Sequence, residues 1–477
     1  MSGMQELIKK IPEIPIGAVS FQVTAPSIVA PNEEFDINIA AIRIDGYPDL
    51  AFEGRVIIES TDEAAHIRKQ VTFKKENCGI YRLSDQKLCT PGVHRITVKV
   101  PGSNLSGVSN PIKCSEEKRE YNLYWGDIHL HNPSHDPKVP STNIAESWDL
   151  AYVFGRYVSN VDFISVTDHA YILDDEKWQV TKLKAEEYNK PGEFVTFLGF
   201  ESSHRTEKGG DINVYYLSDG EFRDFLPDDG SLNDLWQWLK DQGKEFITIP
   251  HHTARFLKSR DWSMDYYGGP EVEPVYEVYS RWGASEFQGN PRSMSSGASD
   301  GKAYYRDALN RGYKLGVIAG SDDHDSTPGR IAVLRGRRHF NGLAAIYAKK
   351  LTRKDLWESL KRRRCYGTSI DRILLDFRID GHFMGEEIQS KNPEITVEAY
   401  GARPFIKVEI VKNGKVIYRH KLVKDPPKGK RPGMKIARIS EVNFSFKDHV
   451  EKDSYYYLRV EQRNGEMAWS SPIWVKP

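Results

Sequence analysis

Tyr124-Trp125-Gly126-Asp127-Ile128-His129-Leu130-His131 is the stretch whose reading decides the fold. Its apolar-rich lead-in, residues 121–125, reads as a strand. Side chains alternate faces along a strand, so His129 and His131 point the same way. Two imidazoles on one face at a strand end make half of a metal site. An HxH pair by itself is a weak sign. Here four further His/Asp/Glu clusters follow, each at the end of a strand-like run.

The run 163–166 leads into Thr167-Asp168-His169, and 194–198 into Gly199-Phe200-Glu201. The run 246–249 leads into Pro250-His251-His252, and 315–319 into Gly320-Ser321-Asp322-Asp323-His324. Several such clusters at the same end of successive strands point to a multinuclear metal site. The expected ligands are His129, His131, Asp136, His169, Glu201, His251, Asp322 and His324. Imidazole and carboxylate suit zinc, manganese or iron, so two or three divalent ions are expected. A carboxylate such as Glu201 or Asp322 would bridge two ions about 3.5–4 Å apart. Asp322 and His252 are also expected among the catalytic groups. His252 is expected to touch substrate or a carboxylate behind the metal, and Asp168 to orient His169. Asp323 should point away from its two neighbours. Asp136 is divided between ligand and loop cap. His135, His204 and His339 read as ordinary polar residues.

Working outward, residues 18–114 hold short alternating strands separated by turn clusters such as Ala30-Pro31-Asn32 and Thr90-Pro91-Gly92. That spacing suggests a sandwich. From about residue 116, strand-like runs alternate with helical stretches at 144–158, 232–242 and 304–311, the pattern of βα units closing into a barrel. After about residue 371 the chain returns to strands. The expected organisation is an N-terminal β-sandwich-like domain over 1–115, a TIM-like α/β barrel over 116–370 and a C-terminal β-rich domain over 371–477.

Lys+Arg and Asp+Glu are both 67 in the 477 residues, so the formal charge is zero and lacks the basic excess of a duplex nucleic-acid binder. Hydrophobic residues at 39% and aromatics at 11% suit a folded core. The four cysteines, Cys78, Cys89, Cys114 and Cys365, fit no zinc-ribbon spacing and are too sparse for a disulfide scaffold. The N-terminal segment, broken by Pro12 and Pro15, lacks the apolar core of a signal peptide, and no run approaches a membrane span. A cytoplasmic protein with neither membrane nor nucleic-acid partner is therefore expected.

His129-Leu130-His131, Thr167-Asp168-His169, Glu201 and Gly320-Ser321-Asp322-Asp323-His324 resemble the successive motifs of the PHP (polymerase and histidinol phosphatase) family. The longer context, from Tyr124-Trp125-Gly126-Asp127 through Pro250-His251-His252-Thr253, resembles its large branch described only as a domain of unknown function. The resemblance spans about residues 120–370. It implies a distorted (β/α)7 TIM-like barrel, a trinuclear metal centre and phosphoester hydrolysis. One departure stands out. Where that branch tends to carry Gly-Gly-His before an Asn-Val-Tyr strand, this chain has Gly209-Gly210-Asp211. Asp211 either replaces the imidazole as an oxygen ligand or leaves the third metal position weak.

The expected function is a metal-dependent hydrolase using a metal-activated hydroxide on a small phosphorylated substrate, a phosphoesterase. Arg255, Arg281 and Arg330 follow strand ends and are candidates for phosphate contacts, with Arg281 and Arg330 placed among the catalytic residues. Two rivals stand beside this. One keeps the metals and cleaves an amide, carbamate or lactone, with Tyr266, Tyr267, Tyr279 and Trp282 of the insertion 254–302 as an aromatic wall. The other is a non-catalytic binding protein with a relic barrel.

Overall fold

A computed structural model describes residues 16–132, 144–294, 302–331, 341–422 and 439–477. Strands Ser20–Thr24, Phe35–Ile42 and Ile80–Gln86 form one antiparallel sheet near the N-terminus. Gln70–Phe73, Gly54–Ser60, Ile96–Lys99 and Ser106–Val108 form another. Phe21, Ile37, Ile39, Val56, Ile58, Ile96 and Val98 are buried in one apolar cluster drawn from this part of the chain. Period-two alternation on both sheets gives that shared core its inward faces.

The expected barrel is not what the chain forms. Among the described residues strands take 39% and helices 15%, the strands fall into one sheet of eleven and six of three or four, and no barrel closes. The reason is legible in the connections. Leu198–Ser202 and Ile212–Tyr216 are joined by nine residues holding a single 3-10 turn, Thr206–Lys208. A parallel partner needs a crossover of a dozen residues or more, so this pair is antiparallel. Ile212–Tyr216 is also antiparallel to Phe246–Pro250, which completes a separate three-stranded sheet. Val275–Ser280, Gly283–Ala284 and Gly316–Ala319 make another.

Asn122–Leu130, the strand behind the HxH pair, belongs to an eleven-stranded sheet. It runs parallel to Phe163–Val166 and antiparallel to Leu343–Ala348. The sheet continues through Cys365–Thr368 into Met467–Ser470, Ser454–Gln462 and Phe405–Lys412. Hydrogen bonding therefore passes without a break from the metal-type strand to the C-terminal strands. The largest apolar cluster spans the same region, joining Trp125, Trp148, Ile164 and Tyr366 to Leu458, Ala468 and Ile473.

Three isolated parallel bridges, Leu130 with Asp323, His169 with Glu201 and His251 with Glu277, join strand ends of the separate sheets at one place. Among the described residues no helix is long and apolar enough to cross a membrane. The four cysteines are free thiols, and all but Cys89 are buried.

Candidate metal centre

The bridged strand ends carry His129, His131, His169, His251, His252 and His324 together with Glu201, Asp211 and Asp322. Four overlapping sets of these side chains have donor atoms within 4.8 Å of one another: His131/His169/His324, Glu201/Asp211/His251/His252, His129/His251/Asp322 and His129/His131/Glu201. Every predicted ligand within the described residues therefore belongs to the cluster, and so does His252. Asp136, His135 and His339 lie outside the described residues.

Glu201 is the hub. Its Oε2 lies 3.0 Å from His169 Nδ1, 3.2 Å from His131 Nε2 and 3.7 Å from His129 Nε2, and its Oε1 lies 3.2 Å from His251 Nε2. Asp322 faces it, with Oδ1 3.4 Å from His131 Nε2 and 3.8 Å from His129 Nε2. Its Oδ2 is 3.8 Å from His252 Nε2, which lies 3.7 Å from Asp211 Oδ2. His324, the most open member, sets Nδ1 3.1 Å from the Asp322 carbonyl oxygen.

Backbone hydrogen bonds hold this geometry. Asp322 N donates to His129 O at 2.7 Å and His131 N to Asp323 O at 2.7 Å, stitching the first and last clusters together. Asp127 reinforces the join by accepting from Ser321 N at 3.0 Å. Asp168 accepts from Asn132 N at 2.7 Å, directly after His131. Asp323 turns its Oδ2 to Thr327 N and Oγ1, away from the ligands. Asp322 and His252 adopt φ values of 51° and 31°. Left-handed backbone is uncommon for such residues, and strain of this kind concentrates at functional sites.

The chemistry of the donor set fits divalent ions. His129 Nε2, His131 Nε2, His169 Nδ1 and Glu201 Oε2 are buried with no hydrogen-bonding partner among the described residues. Buried polar atoms are ordinarily satisfied, so a group of them turned toward one another calls for a cation. The field agrees. Burial works against ionisation of Glu201, yet the facing imidazoles hold its carboxyl well below the usual range. The same balance, with His129 and His131 as the leading partners, holds Asp322 low. Burial would depress His131, but Asp322 and Glu201 push it up to about 9. Burial and the nearby Glu201 charge push Asp211 up. Burial and the positive His131 press His324 down to about 4. The pocket favours positive charge between its carboxylates.

Sequence reasoning missed Glu277. It lies mid-strand in Val275–Ser280, buried, with Oε2 2.9 Å and Oε1 3.1 Å from His129 Nδ1. A carboxylate there accepts a hydrogen bond from a proton at Nδ1 and leaves Nε2 facing the cluster. Gly320 makes room for it, since a Cβ there would lie 2.5 Å from Glu277 Oε2. The signal was available: a glutamate among otherwise apolar residues of a buried strand needs a partner. Tyr171 was missed as well; its ring stacks on His169 at 4.7 Å. So was Lys258, whose Nζ is 3.5 Å from Asp211 Oδ1.

The predicted arginines divide. Arg281 lies 3.7 Å from Asp323 Oδ1, beside the last cluster. Arg330 donates to Asp325 at 2.8 Å and lies over the Tyr47 ring, so its partners are not the clustered ligands. Arg255 stacks on Trp282 at 3.9 Å. Of the expected aromatic wall, Tyr279 is buried against Trp469, Tyr267 stacks on Tyr313, and Tyr266 donates to Glu207 O.

Residues 162–288 and 334–403 match a family model described as a protein of unknown function (DUF3604). An uncharacterized protein of Chlamydia pneumoniae is 26% identical over 467 residues, covering 95% of this chain and 73% of that protein. Another from Chlamydia trachomatis is 26% identical over 483 residues, covering 96% and 74%. Among solved structures, a PhoD structure overlaps 33% of this chain and 28% of its own at 12% identity and a TM-score of 0.18. A Paenibacillus cycloisomaltooligosaccharide glucanotransferase overlaps 94% and 71% at 10% identity and a TM-score of 0.26. Both overlaps are too weak to transfer a fold or an activity.

Proposed function

We propose that the protein is a metal-dependent hydrolase, a phosphoesterase with the site chemistry of PHP-type enzymes, acting on a small phosphorylated substrate. One observation carries this reading: Glu201 and Asp322 face buried imidazoles, and His129 Nε2, His131 Nε2, His169 Nδ1 and Glu201 Oε2 lack hydrogen bonds among the described residues. His129, His131, His169, Glu201, His251, Asp322 and His324 would hold two or three ions of zinc, manganese or iron, with Asp211 and His252 at a further corner. Divalent ions in such a site polarise a phosphoryl oxygen and make water a nucleophile near neutral pH.

The chain's own groups divide the remaining work. Glu277 keeps His129 in one tautomer. Burial holds His252 well below the ordinary imidazole range, so it is neutral at pH 7, the form a ligand beside Asp211 and Asp322 requires. Arg281 sets a guanidinium beside the last cluster, where it meets the non-bridging oxygens of a phosphoester.

The test is metal analysis of protein purified without chelators, followed by parallel assays on aryl phosphates, phosphodiesters, aryl esters and carbamates. Manganese- or zinc-stimulated turnover of an aryl phosphate is expected. Less than one equivalent of transition metal per chain would sink the hydrolase reading. Turnover confined to carbonyl substrates would move it to an amide, carbamate or lactone hydrolase.

A further inference from the structure

The segment after His252 brings one lysine to the edge of the metal cluster. Lys258 Nζ donates to Ser203 Oγ at 2.9 Å, lies 3.5 Å from Asp211 Oδ1 and sits 5.2 Å over the Tyr171 ring. Tyr171 in turn stacks on His169, a member of the cluster. The ammonium is thus held from three sides within one residue of the proposed ligands. It carries three N–H donors. Ser203 takes one, Asp211 faces another, and about a third of the side chain (34%) is open to solvent. A donor is left for a ligand arriving from outside.

The backbone is shaped to put it there. Lys258 has φ 57°, in the left-handed region that lysine seldom adopts. Asp211 N donates to Lys258 O at 3.2 Å, and Arg260 Nε donates to Gly209 O at 3.0 Å. Gly210 permits this contact: a Cβ there would lie 2.4 Å from Lys258 O and 2.6 Å from Ser259 O. Arg260 is clamped by Glu273 at 2.6 Å with both side chains buried, which anchors the segment beyond the lysine.

We propose that Lys258 is the residue that takes the substrate's anionic oxygen, a specificity determinant for phosphate esters over neutral esters and amides. This rests on the hydrolase reading of the adjacent cluster. Its compact charge suits one non-bridging phosphoryl oxygen. Arg281 approaches from the last cluster, beside Asp323, so the two cations meet the substrate from different elements.

The experiment compares Lys258→Met, Lys258→Arg and the unaltered full chain. It reads bound metal, KM and kcat for an aryl phosphate and an aryl ester, and the calorimetric Kd for inorganic phosphate. Lys258→Met should keep its metal and raise KM for the aryl phosphate and Kd for phosphate by about tenfold, with kcat changing less and aryl-ester kinetics unmoved. Lys258→Arg should recover part of the loss. Ser203→Ala, which frees Nζ, should raise the same constants by a smaller factor. Unchanged phosphate affinity in Lys258→Met overturns the proposal. So does loss of metal in that variant, which makes the lysine a structural counter-ion of Asp211. Lysine-dependent phosphate binding by a chain that turns over only carbonyl substrates would overturn the phosphoesterase reading and the specificity role with it, whereas unchanged phosphate affinity in Lys258→Met of a chain that turns over aryl phosphate overturns the role of Lys258 alone.

Discussion

Glu277 Oε2 stands 2.9 Å from His129 Nδ1, with both side chains buried, so the imidazole that opens the HxH pair is oriented by a strand almost 150 residues away. Partners of this kind typically account for ten- to a hundredfold in metal affinity. Glu277→Gln should therefore lower zinc or manganese affinity by about tenfold or more while leaving the thermal transition of the metal-free protein in place. Metal titration with a competing chelator measures it. Undiminished affinity would show that His129 needs no orienting carboxylate.

The ligands themselves should respond more strongly. His129→Ala, Glu201→Ala and Asp322→Asn each remove a donor from the overlapping sets and should each lower bound metal per chain. Glu201→Ala should lose most, since Glu201 faces His129, His131, His169 and His251 at once. Elemental analysis after extensive dialysis reads this directly. Full occupancy in all three variants would remove the cluster from consideration as a metal centre.

Much of this cluster was legible in the sequence because the ligands lie at strand ends, where one residue's face fixes the next but one. His129 and His131, and the Asp322–His324 loop, were found that way. Glu277 was not, because it sits inside a strand and its partner is distant in sequence. The barrel failed for a related reason. Period-two runs locate strands but do not say which way neighbours run. The turn between Ser202 and Ile212 is too short for a crossover, and that detail outweighed the alternation elsewhere. The boundary placed near residue 370 was drawn from a change in pattern, whereas Cys365–Thr368 pairs directly with Met467–Ser470.

Gly210→Ala tests the loop that carries Lys258. The residue has φ 73°, and a methyl group would meet two carbonyl oxygens below 3 Å. An incompatible Gly→Ala change destabilises by more than about 1 kcal/mol. The expected result is a lower melting temperature and faster tryptic cleavage after Lys258, with the proteolysis pattern elsewhere unaltered. An unaffected digestion rate would show that the loop tolerates displacement from Gly210.

Asp162 gives a pH signature. Its Oδ2 accepts from Trp125 N at 2.7 Å, and burial, only partly offset by Arg372, pushes its carboxyl up to about 6. An unfolded aspartate titrates near 3.9. Below that value both states are protonated and nothing is lost. Between about 4 and 6 the unfolded chain releases its proton and the folded chain keeps it, so stability falls as pH rises and stays lower above 6. Asp162→Asn should flatten this slope and stabilise the protein at pH 7 by roughly 3 kcal/mol, with no gain at pH 3.5. Melting temperatures of both proteins across that range decide it.

The unbroken ladder from Asn122–Leu130 to Ser454–Gln462 makes the C-terminal strands a reporter on the strand that carries the HxH pair. A cation that binds only the folded state raises the opening free energy of whatever unfolds together with its ligands. Amide protons of Ser454–Gln462, though they touch no ligand, should then exchange more slowly once metal is added. Ending the chain near residue 370 would instead leave Cys365–Thr368 as a bare edge, open to pairing with other molecules.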